Sequence, residues 1–132
     1  MRWLDDLVKW RELELALSHL YSADTCCPGL RDRWSADNPT LGHCIVVALI
    51  VQDHFGGEIV YDKKNRHYWN RINGMDVDFT RDQFRNNEVI QETRICQRSD
   101  LLKKSKVLKR YQLLKEKVEN YLSLGEGVCE IL

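Results

Sequence analysis

The chain has 132 residues, 43% of them hydrophobic and 30% charged, which is typical of a globular protein and of the length of one domain. Its 20 basic and 20 acidic residues balance, so net charge provides no general attraction to nucleic acid. It contains no apolar segment long enough to span a membrane. Its mixed-charge N-terminus lacks the apolar stretch of a secretory signal, so we expect a cytoplasmic protein with no membrane contact.

Cysteine is the residue type whose role needs explanation, with five in the chain. In a reducing compartment the default interpretation is free thiols, and any special role depends on the surroundings of each. Cys26 and Cys27 are adjacent, whereas zinc-binding pairs are normally separated by two or more residues. We therefore expect no metal, including none held by Cys26, Cys27, Cys96 and Cys129, and we expect no cofactor because a reactive thiol is itself part of the chain.

The first predicted elements are a helix and a long connection. Residues 3–21 have the three- and four-residue spacing of an amphipathic helix, with apolar positions at Trp3, Leu7, Trp10, Leu13, Leu17 and Leu20. Residues 22–41 are rich in turn-forming residues, which predicts a loop with room for a short helix near residues 30–34. A loop this long in a small domain is often functional.

A strongly apolar segment follows, and Cys44 lies near its start. Residues 42–55 fit a buried helix or a buried strand, because periodicity does not separate the two, and the β-branched residues favour a strand. The Gly-Gly pair that follows is a helix-termination signal, and Asn38 or Thr40 can cap the start. We therefore predict a helix that carries Cys44.

Three short strands are predicted next, over residues 58–61, 67–72 and 75–79. Asn73-Gly74 is a strong hairpin signal because both residues tolerate a positive φ. The third strand alternates apolar and acidic residues, which gives it one apolar and one polar face. A helical turn capped at Thr80 and a further strand within residues 89–97 complete this region.

The last predicted element is a helix over residues 100–122. Its apolar seam faces either the core or a partner, which leaves a homodimer as an alternative; the seam comprises Val107, Tyr111, Leu114, Val118 and Tyr121. The helix is also rich in lysine. Because the chain is neutral and has no aromatic platform for bases, we favour a solvated face, with the local pairs Asp100–Lys104 and Lys115–Glu119, over a nucleic-acid surface.

The predicted elements carry residue types that suit thiol chemistry. The start of a helix has partial positive charge, which favours the thiolate form of Cys44. His67 opens a strand of the sheet on which this helix should pack, where its imidazole would exchange a proton with the sulfur. Asp78, Asp76 and Asn70 compete to orient that imidazole. Asp76 is the weaker carboxylate, because it lies next to the hairpin turn, where solvent is expected.

Three segments carry a resemblance to a known family: residues 38–58, NPTLGHCIVVALIVQDHFGGE; residues 67–70, HYWN; and residues 77–84, VDFTRDQF. With Arg110-Tyr111 in the last helix, they resemble the YunG-like family of small bacterial proteins. The resemblance covers roughly residues 34–84. It implies a papain-like or transglutaminase-like α+β core in which the Cys-bearing helix packs on a small antiparallel sheet between N- and C-terminal helices. Cys44, His67 and Asp78 stand at the matching positions.

One position departs from the family, which has a glutamine where this chain has His43. A glutamine there would donate a hydrogen bond to a developing oxyanion. His43 and Asn38 are the two candidates for that donor in this chain, and Trp69 and Asn70 are candidates to line a substrate groove. A core position is the more common fate of a tryptophan such as Trp69.

Two functions fit these predictions. The first is a thiol-dependent hydrolase or acyltransferase that acts on an amide, peptide or ester, with Cys44 as nucleophile, His67 as base and acid, and Asp78 as orienting residue. The second is a non-catalytic interaction or regulatory module that retains a papain-like scaffold, because a fold does not determine a function. The first implies a small-molecule or peptide substrate.

Overall fold

The structure, a computed structural model, describes residues 2–81 and 93–131. Its helices are α1 (Arg2–Leu20), a 3-10 helix (Pro28–Arg33), α2 (Cys44–Phe55), α3 (Arg98–Leu102) and α4 (Ser105–Ile131). Its strands are β1 (Glu58–Asp62), β2 (His67–Ile72), β3 (Met75–Val77) and β4 (Thr93–Cys96). The strands form an antiparallel sheet in the order β3-β2-β1-β4, so the fold is α+β.

Helix α2 is the centre of the core. Every residue from Ile45 to Val51 is buried, which is expected of a helix that is apolar on all sides. One side of α2 packs on β1 and β2, and another packs on α4, which also contacts α1. The helix ends where the Gly-Gly pair predicted, with the N–H of Gly56 bonded to the carbonyl of Gln52.

The start of α2 differs from the prediction. The helix begins at Cys44 rather than at residue 42, and within the described structure no side chain caps it, so neither Asn38 nor Thr40 is its N-cap. Gly42 has a positive φ of 75°, which excludes it from the helix. A β-carbon on Gly42 would lie 2.5 Å from the Cys26 sulfur, so the loop and α2 meet at this glycine.

The β2–β3 hairpin forms at the predicted turn. Asn73 and Gly74 both have positive φ, and Ile72 pairs with Met75 across a two-residue loop. Strand β3 ends at Val77, two residues before the predicted end at residue 79. Asp78 therefore lies just after the strand.

The predicted C-terminal helix is two helices, α3 and α4, separated at Lys103 and Lys104. Leu101 and Val107 are both buried, yet in one continuous helix six residues would place them about 120° apart around the axis. The break allows both side chains to enter the same core. The ion pairs also differ from the prediction. Asp100 pairs with Lys103 where Lys104 is predicted, and Lys115 pairs with Asp53 where Glu119 is predicted.

The seam of α4 faces the core, as the first of its two alternatives predicted, through Val107, Tyr111, Leu114 and Val118. On α1, Leu13 and Leu17 are buried as predicted, whereas Leu7 is 53% exposed. Of the strand predicted within residues 89–97, β4 is the described part, and residues 82–92 lie outside the described structure. No described helix is both long and apolar enough to cross a membrane.

Candidate active site

Cys44 is the first residue of α2 and is partly exposed. The preceding loop sets this position: Gly42 turns the chain, its carbonyl accepts the N–H of Cys27, and His43 precedes the first helical residue. The first N–H groups of a helix have no partner within the helix, and they give its start a partial positive charge. The sulfur therefore lies at the electropositive end of the most buried helix.

His67 opens β2, directly after the turn that joins it to β1. The buried carboxylate of Asp62 holds this turn by accepting the N–H of Lys64 at 3.1 Å and the side-chain amide of Asn65 at 2.7 Å. The ring of His67 is fully buried. Trp69, two residues further on, stacks on it with 5.8 Å between ring centroids and 20° between planes.

Asp78 contacts the His67 ring. Its Oδ2 lies 2.6 Å from His67 Nε2, while its Oδ1 accepts both the backbone N–H and the hydroxyl of Thr80, at 3.0 and 3.1 Å. An aspartate that accepts the N–H two residues later is a common local motif, and here it fixes the carboxylate. The Cys44 thiol is a further hydrogen-bond partner of His67.

These contacts determine the charge of His67. Burial by itself lowers the pKa of an imidazole, but the hydrogen bonds to Asp78 and Cys44 and the negative charge of these groups raise the pKa of His67 to about 9. The imidazolium is thus the dominant form at neutral pH. The site holds a cation between a carboxylate and a thiol.

The two other candidates for the orienting role have different partners. Asp76 pairs with Arg71 at 2.8 Å on an exposed edge of the sheet, and its side chain is 57% exposed. Asn70 donates to the carbonyl of Ala48 at 2.9 Å and so ties β2 to α2. Of the three, the structure brings Asp78 to the ring of His67.

The candidates for oxyanion and substrate contacts have partners within the protein. Both ring nitrogens of His43 are engaged, Nδ1 with the carbonyl of Leu41 at 2.9 Å and Nε2 with the hydroxyl of Thr25 at 2.7 Å. A carbonyl only accepts, so Nδ1 carries the proton and Nε2 accepts from Thr25. Asn38 lies in a turn with Ser35. Trp69 is 5% exposed, which makes it a support for His67.

Thr80 and Tyr68 are two neighbours of the site that are not among the residues predicted from the sequence. Thr80 donates to Asp78 in an Asp-x-Thr turn, and the helical turn that it is predicted to cap continues into residues 82–92, outside the described structure. Tyr68 lies close enough for burial, Tyr61, Cys96 and Cys44 to raise its pKa to about 12, so its phenol stays neutral. Among the described residues, no three histidine, cysteine or acidic side chains are grouped to hold a metal ion.

Comparison with known proteins agrees with the resemblance of these segments. The profile of the YunG protein family matches residues 9–123. The chain belongs to this family. A relative from Bacillus subtilis (strain 168), named Uncharacterized protein YunG, is 44% identical over 54 residues. That match covers 39% of this chain and 47% of the relative, so it spans about half of the relative's length. No solved structure matches the chain.

Proposed function

We propose that this protein is a thiol-dependent hydrolase or acyltransferase with a papain-like core, acting on an amide, peptide or ester. The observation that carries the proposal is the chain of contacts from Asp78 through His67 to Cys44. Each residue comes from a different place: the turn after β3, the start of β2 and the start of α2. A nucleophile, a base in contact with it and a third group that orients the base are the parts such chemistry needs.

The charge state of His67 supports nucleophilic attack. An imidazolium beside the sulfur stabilises the thiolate, which is the reactive form of cysteine. In the first step the sulfur of Cys44 forms a bond to the carbonyl carbon of the substrate. His67 then gives its proton to the leaving amine or alcohol as the carbon–heteroatom bond breaks, which leaves an acyl-enzyme and a neutral imidazole.

The second step releases the acyl group from the sulfur. Neutral His67 takes a proton from water, or from an acceptor nucleophile, as that oxygen or nitrogen attacks the acyl carbon. The carbon–sulfur bond then breaks, and the site returns to thiolate and imidazolium. Asp78 keeps the His67 ring oriented beside Cys44 throughout, because Thr80 holds the second oxygen of Asp78.

Backbone N–H groups are the best donors for the oxyanion. His43 has no free N–H on its ring, whereas the first turn of α2 presents backbone N–H groups beside Cys44 that, in the described structure, no side chain caps. Such preorganised donors stabilise charge that develops on the carbonyl oxygen.

The test is covalent labelling with an electrophilic acyl probe, followed by turnover of a panel of thioester and aryl ester substrates. We expect the probe on Cys44, loss of labelling in Cys44→Ala, and loss of turnover in both Cys44→Ala and His67→Asn. Cys27→Ala is the matched control, because Cys27 is also a partly exposed, free cysteine, and it should retain both properties.

Two results would contradict the enzyme. If labelling is lost in Cys27→Ala and retained in Cys44→Ala, the reactive thiol is Cys27 and not Cys44. Labelling of Cys44 without turnover of any acyl substrate would favour the non-catalytic module, in which the same scaffold serves binding or regulation.

A further inference from the structure

A concave site lies between the long loop and α4. It is a cavity of about 210 Å³ with four cations among its lining residues and a single carboxylate; the lining residues are Asp24, Pro28, Arg31, Lys106, Lys109, Arg110 and Leu113. At roughly 30 Å³ per water molecule, this volume holds a phosphate-sized group and part of a molecule that carries it. The lysines of α4 are predicted from the sequence to form a solvated face, and two of them, Lys106 and Lys109, line this cavity.

Arg110 is the feature that distinguishes this cavity from a chance cluster of surface lysines. Its side chain is 7% exposed, and no ion pair joins it to a carboxylate within residues 6–81 and 93–124, whose side chains the structure describes. A buried charge without an opposite charge is costly, so natural proteins normally compensate it. Arg31, on the facing loop, adds a like charge close enough to act on Arg110.

The donors of Arg110 are only partly used. Its Nε donates to the carbonyl of Lys106 at 3.2 Å, and its Nη1 donates to the carbonyls of Thr25 and Gly42 at 3.3 and 3.4 Å. In the described part of the chain, Nη2 donates to no acceptor. A guanidinium with a free edge, fixed by its other nitrogens, is well suited to bind an oxyanion through charge-assisted hydrogen bonds.

We propose that this cavity, defined by Arg31, Lys106, Lys109 and Arg110, binds a multiply charged oxyanion of the phosphate type. Four cations against the one carboxylate of Asp24 favour a dianion over a singly charged carboxylate. Lys106, Lys109, Arg110 and Leu113 follow one face of α4 at intervals of three, four and seven residues, and Leu113 adds an apolar edge for the remainder of a small molecule. This proposal does not depend on the chemistry proposed for Cys44.

The probes are inorganic phosphate, sulfate and acetate, at constant ionic strength maintained with sodium chloride. Binding is measured by titration calorimetry and by backbone amide shifts of α4. We expect saturable binding of phosphate and sulfate, with shifts at Lys109 and Arg110, and at least tenfold weaker binding of acetate. Equal binding of acetate would overturn the class of ligand, and absence of saturable phosphate binding would overturn the site.

Two double variants separate the cavity from general charge. Lys106→Gln with Lys109→Gln removes two lining cations that are exposed, so folding should persist. Lys103→Gln with Lys104→Gln removes two exposed cations in the break between α3 and α4, outside the cavity, with the same change in net charge. We expect the first variant to weaken phosphate binding at least tenfold and the second less than twofold. Equal weakening in both would show nonspecific attraction and contradict the proposal.

Discussion

Two buried histidines in this protein differ in charge at neutral pH, since His43 is neutral and His67 is cationic. His43 and His67 are both fully buried, and burial lowers the pKa of each. For His43 burial prevails, with a further contribution from the nearby charge of Arg110, and the pKa falls to about 4. For His67 the bonds and negative charge of Asp78 and Cys44 prevail, and the pKa rises to about 9.

The difference shows that partners, not burial, separate a structural histidine from a candidate catalytic one. His43 contacts a carbonyl and a hydroxyl, which are satisfied by a neutral ring and fix one tautomer. His67 contacts a carboxylate and a thiol, which favour an imidazolium. The neutral ring ties two loop segments together ahead of α2, and the charged ring carries the chemistry proposed for Cys44.

The largest expected effect is the separation of the two titrations. We expect nitrogen chemical shifts of the histidine rings, recorded from pH 3.5 to 9.5, to give midpoints near 4 for His43 and near 9 for His67. Each is displaced by about 2.5 pH units from an ordinary histidine, which corresponds to roughly 3 kcal/mol of folding free energy. Two midpoints near 6.5 would remove the contrast.

The sign of each contribution to stability follows from these values. His67 has a raised pKa, so its contribution is complete below about pH 6.5 and is lost as the pH rises towards about 9. His43 has a lowered pKa, so stability falls as the pH drops from about 6.5 towards about 4. Urea unfolding across this range should show His67→Asn removing the alkaline part of the change and His43→Asn removing the acid part.

The next effect concerns the reactivity of the thiol. An ordinary thiol is only ~0.3% ionised at pH 6. We expect His67→Asn to slow alkylation of Cys44 at pH 6 by about 30- to 100-fold, because the imidazolium no longer stabilises the thiolate, and because a more basic thiolate regains only part of the rate. Mass spectrometry locates the label and gives its rate.

His43→Asn is the matched control for this experiment. The shorter amide retains a donor for the carbonyl of Leu41, and we expect alkylation of Cys44 to change less than threefold in folded protein. If the two variants slow the reaction equally, the contrast between the rings has no chemical consequence. A melting curve for each variant separates loss of reactivity from loss of fold.

Sequence reasoning predicted those features that depend on neighbours in the chain. The Asn73-Gly74 turn requires two positive φ values, and the end of α2 is marked by glycine, so both are visible locally. The resemblance supplied Cys44, His67 and Asp78 as one set, because spacing alone does not show which strand ends meet.

Features that depend on distant segments were not predicted. Helix α2 begins at Cys44 and not at the predicted residue 42, because Gly42 packs against Cys26. No local sequence pattern indicates this contact. The C-terminal helix breaks because Leu101 and Val107 must enter the same core. The neutral, loop-tying role of His43 depends on its hydrogen bond with Thr25, which lies 18 residues earlier in the chain.

The smallest expected effect comes from Thr80, which acts on His67 through Asp78. Thr80→Val removes the hydroxyl that donates to Asp78 Oδ1 and retains the backbone N–H bond to the same oxygen. Loss of one such hydrogen bond costs about 0.5–1.5 kcal/mol, and only part of this cost reaches Cys44 because Thr80 acts through Asp78 and His67, so we expect a roughly two- to fivefold slower alkylation of Cys44 at pH 6. A purely structural role would change stability alone. A positioning role would also lower the titration midpoint of His67, measured by the same ring nitrogen shifts, and Thr80→Ser should restore both. If Thr80→Val leaves the titration midpoint of His67 unchanged, the hydroxyl of Thr80 is not needed to position the carboxylate of Asp78 against the His67 ring.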